Sequence, residues 1–343
     1  MTSNIIIPRW DLNSIDTKAA SFDSSAIKAF HSWDNSTSWE NDGLTLAVVG
    51  SGVDHNHPVF EGIEVEQVNL TGKNVSQRDA LGHETAVAGL IVELCPFITK
   101  ILDLRVFSSE GKTSLDILLR AYQKLLDRAN QIDLANISLG SKQDVPELNA
   151  RHNQLVSKGV LTFVSAGNTG DDGGSPATAK KAFSVGALTN ANEMTDFSSF
   201  DPEHDNPDIC ALGKNVRLPR AQGTSMGQVI DDMTVMASGT SFSCPIMTAA
   251  AGCYIAKYGT FSRKDFERTA QEVAENPRDG KGKLNLTKAI WLGEEKRVTE
   301  TGMYAQVYGD NNNLIWLDYA WLDSGRYQVG LKGNSLEILE SED

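Results

Sequence analysis

The feature that most constrains this chain is an alternation of short continuous apolar runs with longer stretches of helical period. Leu44-Thr-Leu-Ala-Val-Val49 is almost wholly apolar and stops at Gly50-Ser-Gly52. A run without polar alternation suits a strand buried on both faces, as in a parallel sheet. Ala86–Leu94 then reads as a buried helix and Lys100–Phe107 as a strand. Ser114–Arg128 has apolar positions at Leu115, Leu118, Leu119, Tyr122, Leu125 and Leu126, which is one face of a helix. The series continues with a strand at 132–138, a helix at 145–158 closed by Gly159, and strands at 160–165 and 183–188. A small-residue helix at 241–258 and a last helix from near Ser262 complete it. Strands alternating with helices imply crossover connections, so the predicted class is α/β: three layers around a mostly parallel sheet.

The flanks have a different texture. Residues 1–43 are a polar lead segment dotted with Trp10, Phe22, Phe30, Trp33 and Trp39, in which 25–33 is predicted as a short helix capped by Ser25. Beyond 295, alternating segments at 303–308, 314–317 and 327–331 are separated by the turn signals 309–313 and 323–326. These predict a small β-rich C-terminal appendage. The expected domains are therefore 1–43, 44–294 and 295–343.

Composition narrows the partners. With 45 acidic against 31 basic residues the net charge is −14, which disfavours binding to nucleic acid or an anionic membrane. No apolar run approaches the roughly 18 residues of a membrane span, and Met1–Trp10 lacks the basic start of a secretory signal. A cytoplasmic protein is expected, or a mature form whose leader is missing. The four cysteines form no Cys-x-x-Cys pair, and Cys244 and Cys253 sit among small apolar neighbours, as buried thiols do.

In open parallel sheets, chemistry collects where strands end and helices begin, and four such junctions carry unusual residues. Gly239-Thr-Ser-Phe-Ser-Cys-Pro245 places Ser241 before what reads as a proline-initiated helix, whose positive end would favour an oxyanion beside it. Gly82-His83 opens another small-residue helix. Ser165-Ala-Gly-Asn168 ends a strand with a neutral hydrogen-bond donor, and Ala47–Asp54 ends the first strand.

In order, Gly50-Ser-Gly52, His83-Glu-Thr-Ala-Val-Ala-Gly89, Ser138-Leu-Gly140, Ala166-Gly-Asn168 and Gly239-Thr-Ser-Phe-Ser-Cys-Pro245 resemble the signature blocks of subtilases, the subtilisin-like serine proteases. Phe183–Ala187, Asp196–Phe200 and Gly282–Asn285 are similar to minor family blocks, and the resemblance covers roughly residues 25 to 290. It implies a subtilisin-like fold and a serine endopeptidase, a hydrolase working through an acyl-enzyme on Ser241. His83 would be the general base, and Asn168 with the Ser241 backbone N–H the oxyanion hole. Ser138, Leu139, Gly140, Ala166 and Gly167 would meet an extended peptide or protein substrate. A second Gly-Thr-Ser, at 223–225, lacks the proline and the following helix, so Ser225 is read as a decoy.

Three departures bear on activity. Gly50 stands where the family has the aspartate that orients the histidine. Removing that group from a family relative costs about 3 × 10⁴ in kcat, roughly 6 kcal/mol, so this chain is expected to be inactive or strongly attenuated. The alternative is a pseudoprotease that holds a peptide in the cleft without cutting it. Asp54 and Asp79 are the nearest carboxylates in sequence that could stand in, although both read more plainly as surface loop residues. Second, Glu84 replaces a glycine; it suits a helix N-terminus but is expected to crowd the substrate or draw His83 away. Third, secreted relatives bind calcium through an aspartate in His-Pro-Asp and a loop interrupting the histidine's helix. Here the first reads His57-Pro-Val59 and the helix runs on through Leu94. No metal or cofactor is expected, and Asp54-His-Asn-His57 is a weak metal pattern. These absences favour an intracellular chain, and Ile5–Pro8 is similar to the N-terminal blocking segment of intracellular members.

Overall fold

The computed structural model describes residues 43–72, 78–273, 278–290 and 292, with the backbone of 327–332 and 335–340. The segments 5–8, 25–33, 303–308 and 314–317 lie outside these residues. The chain divides into two units, one running to Ala289 and one starting at Ile290.

The main sheet has seven strands: β1 (Leu44–Gly50), β2 (Glu64–Asn69), β3 (Ile98–Arg105), β4 (Leu134–Ile137), β5 (Leu161–Ser165), β6 (Ser184–Leu188) and β7 (Ile209–Leu212). Their order is β2-β3-β1-β4-β5-β6-β7 and every pairing is parallel. Successive side chains on a strand go to opposite faces. Ala47 and Val49 of β1 therefore enter one core, with Leu118, Tyr122 and Leu125 of α2 (Leu115–Asp127) and Leu148 and Leu155 of α3 (Pro146–Ser157). On the other face lie α1 (His83–Leu94) and α4 (Thr240–Tyr258). The Ala249-Ala-Ala-Gly252 run lets α4 approach closely: a Cβ on Gly252 would stand 2.8 Å from Cys95 Sγ and 3.1 Å from Leu134 Cδ1. A short α5 (Arg263–Thr269) follows, with Ser262 as its cap residue.

The apolar runs became strands and the periodic segments became helices within a few residues of the expected bounds. Three features had no such signal. The two edge strands of the main sheet, β2 and β7, were not expected, nor was the antiparallel sheet β8-β10-β9, built from Val216–Pro219, Thr234–Ala237 and Gln228–Val229. In the C-terminal unit, β11 (Tyr327–Lys332) pairs antiparallel with β12 (Ser335–Glu340), as the 327–331 alternation predicts. All four cysteines are buried thiols. Among the described residues no helix is long and apolar enough to cross a membrane.

Strand β1 lies between β3 and β4, the point where the chain switches its direction of travel across the sheet. At such a point the carboxyl ends of neighbouring strands open a crevice. Gly50, Ser138 and Ser165 all stand at those ends.

Candidate active site

Helix α4 begins at Thr240, not at the proline, so Ser241 sits inside its first turn and Pro245 lies within the helix. The first four N–H groups of a helix have no intrahelical acceptor, which leaves the Ser241 N–H as a donor at the positive end. Pro245, lacking an N–H, also deprives the Ser241 carbonyl of its usual partner four residues on. The Ser138 hydroxyl fills that place, donating to Ser241 O at 3.0 Å. Ser138 in turn accepts from Asn136 Nδ2 at 2.9 Å, and Asn136 Oδ1 accepts from Thr248 Oγ1 at 2.9 Å and from Cys244 Sγ at 3.2 Å. The end of β4 is thus tied to the start of α4. The Ser241 hydroxyl itself donates to Ser138 O at 3.2 Å.

Asn168 is oriented by Thr240. Its Oδ1 accepts from the Thr240 backbone N–H at 2.8 Å and from Thr240 Oγ1 at 2.9 Å. A backbone N–H can only donate, so the atom facing it must be the amide oxygen, and the two N–H bonds of Asn168 are left for another acceptor. Asn168 and Ser241 line one cavity of about 210 Å³ together with Leu139, Gly140, Ala166 and Gly167. Of the five residues expected to meet a substrate, Leu139, Gly140, Ala166 and Gly167 line this cavity, while Ser138 is buried behind it and bonded to Ser241.

His83 opens α1 and is only 5% exposed, its ring centroid 6.0 Å from that of Phe242, the neighbour of Ser241. The start of α1 is held by Asp79. Its carboxylate accepts from the backbone N–H of Leu81 at 3.2 Å, Gly82 at 2.8 Å and Thr85 at 2.9 Å, and from Thr85 Oγ1 at 2.7 Å. Asp79 is therefore neither a surface loop residue nor a partner for His83; four donors at a helix start bury and consume it. A carboxylate just ahead of a helix is the sequence signal for this role. Asp54 is engaged elsewhere, accepting from Asn56 N at 3.3 Å and Gln222 N at 3.4 Å.

Glu84 lies beside His83 and away from the substrate cavity. It is fully buried and does not line the cavity, so it does not crowd a bound substrate. Its side chain turns back under α1 to the end of β1. A Cβ built on Gly50 would land on the Glu84 carboxylate, with Cδ 2.5 Å and Cγ 3.2 Å away and Oε2 nearer still. The same Oε2 stands 3.4 Å from His83 Nδ1, within ion-pair reach. The Glu84 backbone N–H is fixed to Ser51 Oγ at 3.0 Å, beside Gly50. Burial pushes the Glu84 carboxyl above its ordinary value, and the adjacent His83 opposes that rise. Nearby Asp103, also buried, is pushed up to about 7 by desolvation, against bonds from Gln67 and the Val53 N–H.

Ser225 and His57 do not line this cavity. Ser225 is exposed on the loop after β8. His57 Nδ1 accepts from Val59 N at 3.1 Å, and its Nε2 faces Met233 O at 3.1 Å.

The subtilase family model matches residues 41–289. Subtilisin from Bacillus pumilus is 25% identical over 272 residues, spanning 74% of this chain and 94% of that one. The major intracellular serine protease of Bacillus subtilis (strain 168) is 26% identical over 269 residues, spanning 72% and 77%. Among solved structures the protease domain of PatA is alike in fold, with a TM-score of 0.65 at 22% identity over 77% of this chain and 99% of that domain. With the match running from the lead into β1 to the end of the first unit, the chain belongs to the subtilase family of serine proteases.

Proposed function

We propose that this chain is a working serine endopeptidase that cuts a peptide lying extended along Ser138–Gly140. The observation that carries the reading is the fixed Asn168 amide, whose N–H end is the one left over beside Ser241 in a shared cavity. Donors aimed in advance at the place where negative charge develops are the largest single aid to acyl transfer. In the proposed cycle the Ser241 hydroxyl rotates from the Ser138 carbonyl toward His83. Oγ bonds to the substrate carbonyl carbon while its proton passes to His83 Nε2. The carbonyl oxygen, now negative, is received by Asn168 and the Ser241 N–H. As the C–N bond breaks, His83 returns the proton to the leaving amine, and water releases the acyl group by the same steps in reverse.

The expectation of an inactive chain supposed that nothing replaces the carboxylate missing at Gly50. A carboxylate does lie in that space, from Glu84. A fluorophosphonate probe tests the reading directly. Ser241 should be labelled, Ser241→Ala should not, and unlabelled protein should cleave a peptide library. An unlabelled Ser241 in folded protein that still binds those peptides would establish the binding-only alternative.

A further inference from the structure

We infer that Glu84 is the positioning carboxylate of this catalytic centre, delivered from the first turn of α1 instead of from the end of β1, with Gly50 keeping the space for it. The inference rests on the peptidase reading above and names the group that reading lacks. Three observations meet on it. The first is volume. The Glu84 carboxylate fills the place a side chain at position 50 would enter, so the loss of one acid and the gain of another are a single exchange across the β1–α1 junction. The second is contact. Oε2 lies 3.4 Å from His83 Nδ1, the ring atom opposite the one that takes the serine proton. Charge-assisted bonds are shorter, near 2.7–2.9 Å, but catalytic contacts are often long before substrate binds. The third is isolation. Glu84 is 0% exposed and neither carboxylate oxygen has a hydrogen-bond partner among the described residues. A structural acid in such a place is a cost without a return, whereas an acid facing a base that becomes an imidazolium in each turnover gains its partner when the reaction needs it.

The other acids near this junction do not compete. Asp79 is saturated by four donors and Asp103 is turned to Val53 and Gln67. The charged groups that act on Glu84 are His83 on its own helix and Asp79 in the preceding loop, while Asp103 on β3 and the Cys244 thiol on α4 feel Glu84 in turn. Of these His83 alone can carry a compensating positive charge.

The test compares full-length parent, Glu84→Gln and the transposed pair Gly50→Asp with Glu84→Gly, by rate of fluorophosphonate labelling and by kcat and KM on a peptide ester. Glu84→Gln should lose about 10⁴-fold in kcat with KM nearly unchanged, the scale of removing the family's aspartate. It should also lose the low-field proton resonance of a His83 Nδ1–H held against a carboxylate, which a merely structural change would not move. The transposed pair should return to within about tenfold of parent. A Glu84→Gln that labels within threefold of a reactive parent overturns the inference and leaves the peptidase reading standing. An unreactive, folded parent overturns both. If Glu84→Gln does not fold, the transposed pair decides: folded and active supports the exchange, folded and inactive overturns it.

Discussion

Adding one carbon at Gly50 should separate the steric part of this arrangement from everything else. Gly50 is not among the positive-φ residues, so alanine can adopt its backbone without strain. Replacing a strand glycine by alanine is itself worth about 0.5–1 kcal/mol in favour of folding. What the new methyl cannot do is coexist with the Glu84 carboxylate, whose Cδ would be 2.5 Å from it. Carbon contacts are comfortable near 3.5 Å, so Cδ must retreat by at least roughly 1 Å, and Oε2, which lies nearer, by more. Starting from the 3.4 Å between Oε2 and Nδ1, that retreat at an effective dielectric of 20 costs the developing ion pair about 1 kcal/mol, or about sixfold in rate. If the side chain is expelled altogether, the loss rises toward the 3 × 10⁴ or so of a missing triad acid. Gly50→Ala should therefore melt close to the parent while kcat on a peptide ester falls at least about sixfold. In a Glu84→Ala background the same change should add almost nothing, because the group it displaces is already gone. A Gly50→Ala variant with kcat within about threefold of the parent, or one as damaging with Glu84 absent as with it present, would refute the reasoning.

Other outcomes follow from the same contacts. Asp79→Ala removes the acceptor for four donors at the start of α1 and should cost about 2–4 kcal/mol in urea unfolding, with lower activity because His83 begins that helix. Ser138→Ala leaves the Ser241 carbonyl without the hydroxyl that replaces its helix bond, so a loss of about 1–3 kcal/mol is expected in the same assay. Asn168→Ala should lower kcat about 10²- to 10³-fold with little change in KM. His152 is buried between Tyr122 OH and Thr162 Oγ1, each at 3.1 Å, and burial pushes it down from 6.5 to about 4. Its folded form is neutral, so its stabilising contribution is complete above about pH 6.5 and is lost as pH falls toward 4. The gap is worth about 3 kcal/mol, and His152→Gln should flatten the melting profile across that range.

Most of the sheet was legible because its strands are buried on both faces and announce themselves as unbroken apolar runs. Edge strand β2, Glu-Val-Glu-Gln-Val-Asn, is exposed at both ends, only half-buried between them, and has no such run. The three strands β8 to β10 are two to four residues long, below the length at which periodicity speaks. The serine side of the site was legible as motif because its residues follow one another along strand ends and a single helix start. The place of Pro245 within α4 was not, since proline reads as a first-turn residue when it here serves to free a carbonyl for Ser138. The carboxylates nearest to Gly50 and His83 in sequence that sit in loops are Asp54 and Asp79, and neither is the one beside His83. The Glu84 carboxylate lies 34 positions from Gly50 in sequence and against it in space. The sequence holds the clue as two changes of opposite sense, one acid lost and one gained. Only the approach of α1 to the end of β1 makes them neighbours.

Because position 50 and the Glu84 carboxylate claim one volume, no lineage could pass between the two arrangements by a harmless single step. A chain with aspartate at the first and glutamate at the second would bury two acids in room for one. A chain with glycine at both would have a hole and no acid. Each halfway form is worse than either end, so the two positions should be replaced together or in a background that tolerates an impaired intermediate. Surveys that score a glycine at the strand end as a dead enzyme would then discard working peptidases, and the residue that reclaims them is the one immediately after the histidine.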